Sequence, residues 1–167
     1  MEIVKDLEGK SDKTRMDIIC SYLDNLGVKY ETQKYSSGTN VIARYENSIE
    51  IGVASHFDVA DSSPGANDNA SAVAVTLDIL RRYYQKPLKN IGIRGFFFDE
   101  EEYGLKGSRA YVKNNSLDSL LGVYNMELVG NGDKIAFWSD GKLPSGLLLR
   151  TMKEQAKYLN IKTKQFS

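Results

Sequence analysis

Ile51-Gly52-Val53-Ala54-Ser55-His56-Phe57-Asp58 is a short apolar run that ends in polar side chains. Its opening four residues have the composition of a buried strand. Polar residues past a strand's carboxyl end stand where open α/β sheets bind their ligands. A loop rich in Ser, Pro, Gly and Asn follows, and the spacing then predicts a helix over about 69–84, stopped by Pro87. Ile91 to Phe98 repeats the pattern as a β-favouring run that ends in Asp99-Glu100-Glu101-Glu102. A helix near 105–113 and a strand near 123–129 continue the alternation. Strands alternating with helices predict an α/β fold, a three-layer sandwich around a central, mostly parallel mixed sheet.

Upstream, Met16, Ile19, Leu23 and Leu26 fall at helical spacing, with Ser11 or Asp12 to cap the start and Gly27 to close the end. A helix is therefore expected over 12–26. Two extended runs, 28–35 and 39–45, flank Ser36-Ser37-Gly38 and read as a hairpin at one edge of the sheet. Downstream, 135–138 reads as a short strand, and Pro144 stands where a helix would open. Leu147, Leu148, Met152, Ala156 and Leu159 give that helix an apolar face, and 161–166 begins one more strand. No repeat, low-complexity tract or linker divides the chain, so residues 1–167 are expected to form a single domain.

Lys+Arg and Asp+Glu number 22 each, for a formal net charge of zero, which offers no electrostatic reason to bind nucleic acid or an acidic membrane. Hydrophobic residues at 41% and charged residues at 26% match a soluble globular protein rather than a disordered one. One cysteine, Cys20, excludes an internal disulfide and suits a reducing compartment. No signal peptide is read at the start, and no apolar run reaches the ~20 residues that span a bilayer. A cytoplasmic location is the expectation.

His56 is the only histidine. A lone histidine is more often structural than a ligand, but Asp58 lies two positions on, so both side chains face the same side if the extension continues. A carboxylate behind an imidazole fixes its tautomer and makes it a better metal ligand. Gly65-Ala66-Asn67-Asp68-Asn69-Ala70-Ser71 reads as a turn feeding a helix cap, or as a carboxylate, Asp68, placed to bridge two cations; the two readings are compatible. Four consecutive acids after an apolar strand repel one another unless something positive sits among them, and a divalent metal answers that need. Glu127, read as an acid inside the 123–129 strand, calls for a partner and is a further candidate ligand.

Other signals fail. Gly9-Lys10-Ser11 lacks the earlier glycine and the strand of a phosphate-binding loop. Asn69-Ala70-Ser71 and Asn114-Asn115-Ser116 match glycosylation acceptors that an unsecreted chain would not use. No Gly-x-Ser-x-Gly elbow is present. Cys20 lies far in sequence from the acidic loops, and Tyr83-Tyr84 and Phe96-Phe97-Phe98 read as packing.

Four blocks in order resemble the M28 zinc exopeptidases, a family that includes bacterial leucine-type aminopeptidases. They are Ser55-His56-Phe57-Asp58, Gly65 to Ser71, Glu101-Glu102-Tyr103-Gly104-Leu105-Lys106-Gly107-Ser108 and Asn125-Met126-Glu127-Leu128-Val129-Gly130, and the resemblance spans about residues 10–140. It implies a zinc-exopeptidase-like fold, peptide substrates and two zinc ions. His56 would bind the first ion with Asp58 behind it, and Asp68 would bridge both. Glu101 would be the general base, Glu102 a ligand of the second ion and Glu127 a ligand of the first. The implied reaction is removal of N-terminal residues through a metal-activated water.

Three departures stand out. The family more often has Asp where Glu127 stands, and Ser71-Ala72 replaces the usual Ser-Gly. The family's last ligand, a late histidine on the second metal, has no counterpart. The chain is accordingly expected to be a C-terminally incomplete M28-like domain, holding one zinc ion and self-associating through an exposed sheet edge. The alternative is a peptidase-like module that holds a metal or a partner without turnover. The glutaminyl cyclases of the same fold are the weaker enzyme reading, because their single zinc depends on the late histidine.

Overall fold

A short helix, α1 (Glu2–Leu7), buries Ile3 and Leu7 four positions apart; the sequence reading did not anticipate it. Helix α2 (Asp12–Leu26) begins and ends where its caps dictate. Ser11 is extended and accepts the Thr14 N–H, and Gly27 closes the helix at φ +67°. The computed structural model describes residues 2–44, 47–138 and 146–166. Its contacts divide the chain into two compact units, residues 1–130 and 131–167.

In the first unit, α2 leads into the expected hairpin, β1 (Tyr30–Lys34) and β2 (Thr39–Arg44). Tyr45, placed by the sequence at the end of the second strand, lies outside the described residues. Next come β3 (Glu50–His56), α3 (Ser71–Gln85), β4 (Gly92–Phe98), α4 (Lys106–Asn114) and β5 (Leu120–Asn125). The sheet order is β1-β2-β4-β3-β5. The hairpin is antiparallel to itself and to β4, whereas β3 is parallel to both β4 and β5. The central mixed sheet, parallel across β4, β3 and β5 and antiparallel through the edge hairpin, is thus as the alternation predicts.

Both faces of the sheet are covered. Ile19, Leu23, Leu77 and Leu80 of α2 and α3 pack with Val41, Ala43 and Phe97 on one face. On the other, Tyr111 of α4 packs with Ile42, Ala54 and Phe96. Successive β2 residues alternate between these clusters, as a period of two requires. Gly95 lets α3 lie close, since a Cβ there would stand 2.7 Å from Leu80 Cδ1. Of the tyrosine and phenylalanine runs, Tyr83, Phe96 and Phe97 are buried packing residues.

At the amino end of β3, Glu50 and Arg94 form a wholly buried ion pair. Ser119 Oγ donates to Glu50 Oε2 at 2.7 Å, and Arg94 Nη1 donates to Tyr111 Oη at 2.8 Å. This network ties β3, β4 and α4 together at the end of the sheet opposite His56.

Among the predicted boundaries that move, two bear on the site. The 69–84 helix starts at Ser71, because Asp68 and Asn69 have non-helical backbones within the turn Ala66–Ala70. The strand expected over 123–129 is Leu120–Asn125. Its pairing with β3 runs out at Ala54 opposite Asn125, and Leu128 then takes φ +52°, so the chain turns. Glu127 therefore stands past the strand end and not inside a strand.

The second unit contains β6 (Ile135–Trp138), α5 (Leu147–Tyr158) and β7 (Thr163–Phe166). β6 and β7 pair in parallel, with Trp138 and Phe166 stacked at 4.8 Å. Pro144, expected at the helix start, lies outside the described residues. Among the described residues, no helix is long and apolar enough to cross a membrane.

Candidate metal centre

His56 is the last residue of β3, an interior strand between β4 and β5, and lies beside Phe98 at the end of β4. Its ring is buried, and the carboxylates singled out in the sequence converge on it. Nδ1 lies 3.1 Å from Asp58 Oδ1, so the same-side placement expected for positions i and i+2 is what the structure has. Nε2 lies 3.1 Å from Asp68 Oδ1, 3.4 Å from Glu127 Oε2 and 3.9 Å from Glu101 Oε2. Asp58 is wholly buried, and its Oδ2 accepts the Glu102 N–H at 3.0 Å. One carboxylate thus orients the histidine and pins the acidic loop.

Among the described residues two ligand sets emerge, His56 with Asp68 and Glu127, and His56 with Glu101 and Glu102. Within each, the donor atoms all lie within 4.8 Å of one another. An imidazole among carboxylates is a donor set that suits zinc. The crowding has an electrostatic signature. Burial would lower the His56 pKa, but hydrogen bonds to Asp58 and Glu127 and the charges of both outweigh it and raise it to about 10. Burial pushes Asp58 up, yet the His56 bond, the Glu101 and Glu102 N–H groups and the His56 charge hold it below the usual carboxylate value. Glu101 and Glu102 are both shifted up, first by burial and then by neighbouring carboxylates, against the pull of His56.

The four acids do not act alike. Asp99 Oδ2 accepts the Thr39 N–H at 2.8 Å, and Tyr35 Oη donates to the Asp99 carbonyl at 3.1 Å, which anchors the hairpin loop. Glu100 pairs with Lys106 at 3.2 Å. Only Glu101 and Glu102 join His56. The period of the strand cannot distinguish them, because Glu100 takes φ +53° and breaks the extension.

Two asparagines that the sequence marks only as cap and glycosylation residues also shape the site. Asn69 is wholly buried. Its Nδ2 donates to Glu127 Oε2 at 2.9 Å and to the Met126 carbonyl at 3.0 Å, and its Oδ1 accepts the Leu128 N–H at 3.3 Å. Asn67 Oδ1 accepts the Gly130 N–H at 3.0 Å. Together they clamp the turn that carries Asp68 to the loop that carries Glu127. The available signal was an acid flanked by two asparagines. A cavity of about 280 Å³ adjoins the cluster, bordered by His56, Glu101 and Glu127 and walled by Phe98, Leu105 and Val123.

The sequence profile described as peptidase family M28 matches residues 40–166. A probable lipoprotein aminopeptidase, LpqL, of Mycobacterium tuberculosis is 30% identical over 141 residues, 81% of this chain and 26% of that protein. The chain spans between 11% and 26% of the length of the curated relatives it matches. Among solved structures, the zinc aminopeptidase BSAP of Bacillus subtilis superposes with a TM-score of 0.68 at 25% identity, over 77% of this chain and 34% of that one. The glutaminyl cyclase of Porphyromonas gingivalis superposes with a TM-score of 0.81 at 20% identity, over 99% and 74% of the two chains, a likeness of fold.

Proposed function

The chain belongs to peptidase family M28, and from that premise we propose that it forms the metal-holding part of a zinc-dependent exopeptidase that removes N-terminal residues from peptides. The observation that carries this reading is the convergence of Asp68, Glu127 and Glu101 on the outer nitrogen of one buried histidine whose inner nitrogen is held by Asp58. Residues 1–167 belong in this reading to a single peptidase domain.

His56, Asp68 and Glu127 would hold one zinc ion. Zinc bound there supplies a Lewis acid that acidifies water and polarises a scissile carbonyl. Glu101 takes a proton from the attacking water and delivers it to the leaving amine. Asp58 keeps the His56 ring in one tautomer throughout. The cavity walled by Phe98, Leu105 and Val123 offers apolar surface to a substrate side chain. Among the described residues, the second set, with Glu101 and Glu102, shares the same His56 imidazole as the first, so one tightly held zinc per chain is the reading.

Zinc analysis after dialysis tests it. The 167-residue chain retains about one ion, and His56→Ala retains none; two tightly held ions, or none, in the wild type would overturn it. Aminoacyl-anilide hydrolysis by the full-length protein, run beside ammonia release from an N-terminal glutamine peptide, separates exopeptidase from cyclase chemistry. The alternative is a module that binds metal without turnover. Retained zinc with no hydrolysis by the full-length protein is the result that would select it.

A further inference from the structure

Arg15 lies in the second turn of α2 and is 0% exposed, yet no step above uses it. Its Nη2 donates to the Gly65 carbonyl at 2.9 Å, while Nε and Nη1 have no hydrogen-bond partner among the described residues. Burying a guanidinium with two unmet donors is costly, and an apolar residue of similar length would fill the same space. Packing alone therefore does not call for arginine.

The contact it makes leads to the metal centre. Gly65 has φ +66°, and a Cβ there would stand 2.1 Å from Arg15 Nη1, so the guanidinium is seated directly against this backbone. The Gly65 carbonyl also accepts the Ala70 N–H at 3.1 Å, the bond that closes the turn carrying Asp68. From the same end of α2, Asp12 Oδ1 accepts the Val59 N–H at 3.1 Å. Helix α2 thus grips both ends of the loop between the His56–Asp58 segment and Asp68. Asp12, Asp58 and Asp68 lie close enough for their charges to act on Arg15 and oppose the effect of its burial.

We propose that Arg15 is a positioning residue for the metal centre, fixing the Gly65 carbonyl and, through the turn closed on it, the place of Asp68 opposite His56. This rests on the reading of His56, Asp68 and Glu127 as zinc ligands. The charges of Asp12 and Asp58 oppose that of Arg15 on the side of the centre.

The test substitutes Arg15→Met and compares zinc affinity, the visible spectrum with cobalt(II) as probe, and amide exchange in the metal-free protein. The variant binds zinc ~10- to 100-fold more weakly, as loss of a group behind a ligand does, and its cobalt spectrum changes. The Ala70 amide exchanges faster while Phe96 in β4 keeps its rate, and Arg15→Lys, which retains a donor, recovers part of the loss. Zinc affinity within twofold of wild type, tighter binding, or equal quickening of Ala70 and Phe96 would overturn the proposal. If Arg15→Met does not melt cooperatively, Arg15→Gln takes its place with the same outcomes. A wild type that takes up no zinc refutes the metal reading instead; the Ala70 exchange rate then decides this one, and an unchanged rate overturns it.

Discussion

Asn69→Ala removes the amide that joins the Asp68 turn to the Glu127 loop, and its cost can be worked out bond by bond. The bond to the Glu127 carboxylate is charge-assisted, worth ~1.5–3 kcal/mol, and the two neutral bonds to Met126 and Leu128 are worth ~0.5–1.5 kcal/mol each. The Glu127 side chain is 35% exposed, so water replaces part of what is lost. A net loss of about 2–3 kcal/mol remains. At ~2–4 °C per kcal/mol for a chain of this size, the metal-free protein should melt roughly 5–10 °C lower. Released from Asn69, Glu127 Oε2 is no longer held toward His56, and zinc affinity should fall ~10- to 100-fold. Asn69→Asp keeps the acceptor for the Leu128 N–H but sets a carboxylate against Glu127, so at neutral pH its loss of zinc should be at least as large. Thermal melts of the metal-free protein and zinc titration against a competing chelator measure the two effects separately. Zinc affinity within twofold of wild type in Asn69→Ala would refute the reasoning, since either Glu127 is no ligand or Asn69 does not hold it.

In the full-length protein, Glu101→Gln should abolish hydrolysis and keep metal content, whereas Glu102→Gln should lose hydrolysis together with any ion beyond the one held by His56, Asp68 and Glu127; the reverse order would show the register of the acidic loop to be wrong. Glu50 offers a pH test away from the metal. Burial pushes its pKa up, but bonds from Arg94, Ser119 and Arg44 and the Arg94 charge hold it below the ordinary 4.5. A depressed folded pKa gives stability that is present above the unfolded value and lost as pH falls through the folded one. Urea unfolding of the wild type should therefore weaken below about pH 4.5, and that part of the decline should be missing in Glu50→Gln, which starts lower because Arg94 loses its partner; parallel pH profiles would count against the pair. Leu121 and Val123 on the edge strand β5 are 56% and 43% exposed, so light scattering should detect concentration-dependent association that Leu121→Lys reduces. Wild type that stays monomeric at every concentration would remove this expectation.

The elements legible in the sequence are those governed by neighbours in the chain. Ser11 and Gly27 bound α2 by local capping geometry, and the alternation of apolar runs with helical spacing forecasts the layered sheet. His56 and Asp58 face one another because two extended residues suffice to bring them to one side. Family resemblance pointed to Asp68, Glu101, Glu102 and Glu127, and the fold brings all four to that histidine.

Tertiary structure decided what depends on partners far along the chain. Periodicity could not show that Asn69 would grip Glu127 across 58 positions, or that Arg15 would reach the Gly65 carbonyl across 50. It placed Glu127 inside a strand, whereas the strand ends where β3 ceases to pair with it. Of four consecutive acids, Asp99 and Glu100 turn to the hairpin and to Lys106, because donors at Thr39 and Lys106 meet them there. A strand or helix repeats one local conformation and so leaves a periodic trace in sequence. A hydrogen bond between two loops brings together residues with no such repeat, and only the folded chain determines which donor meets which acceptor.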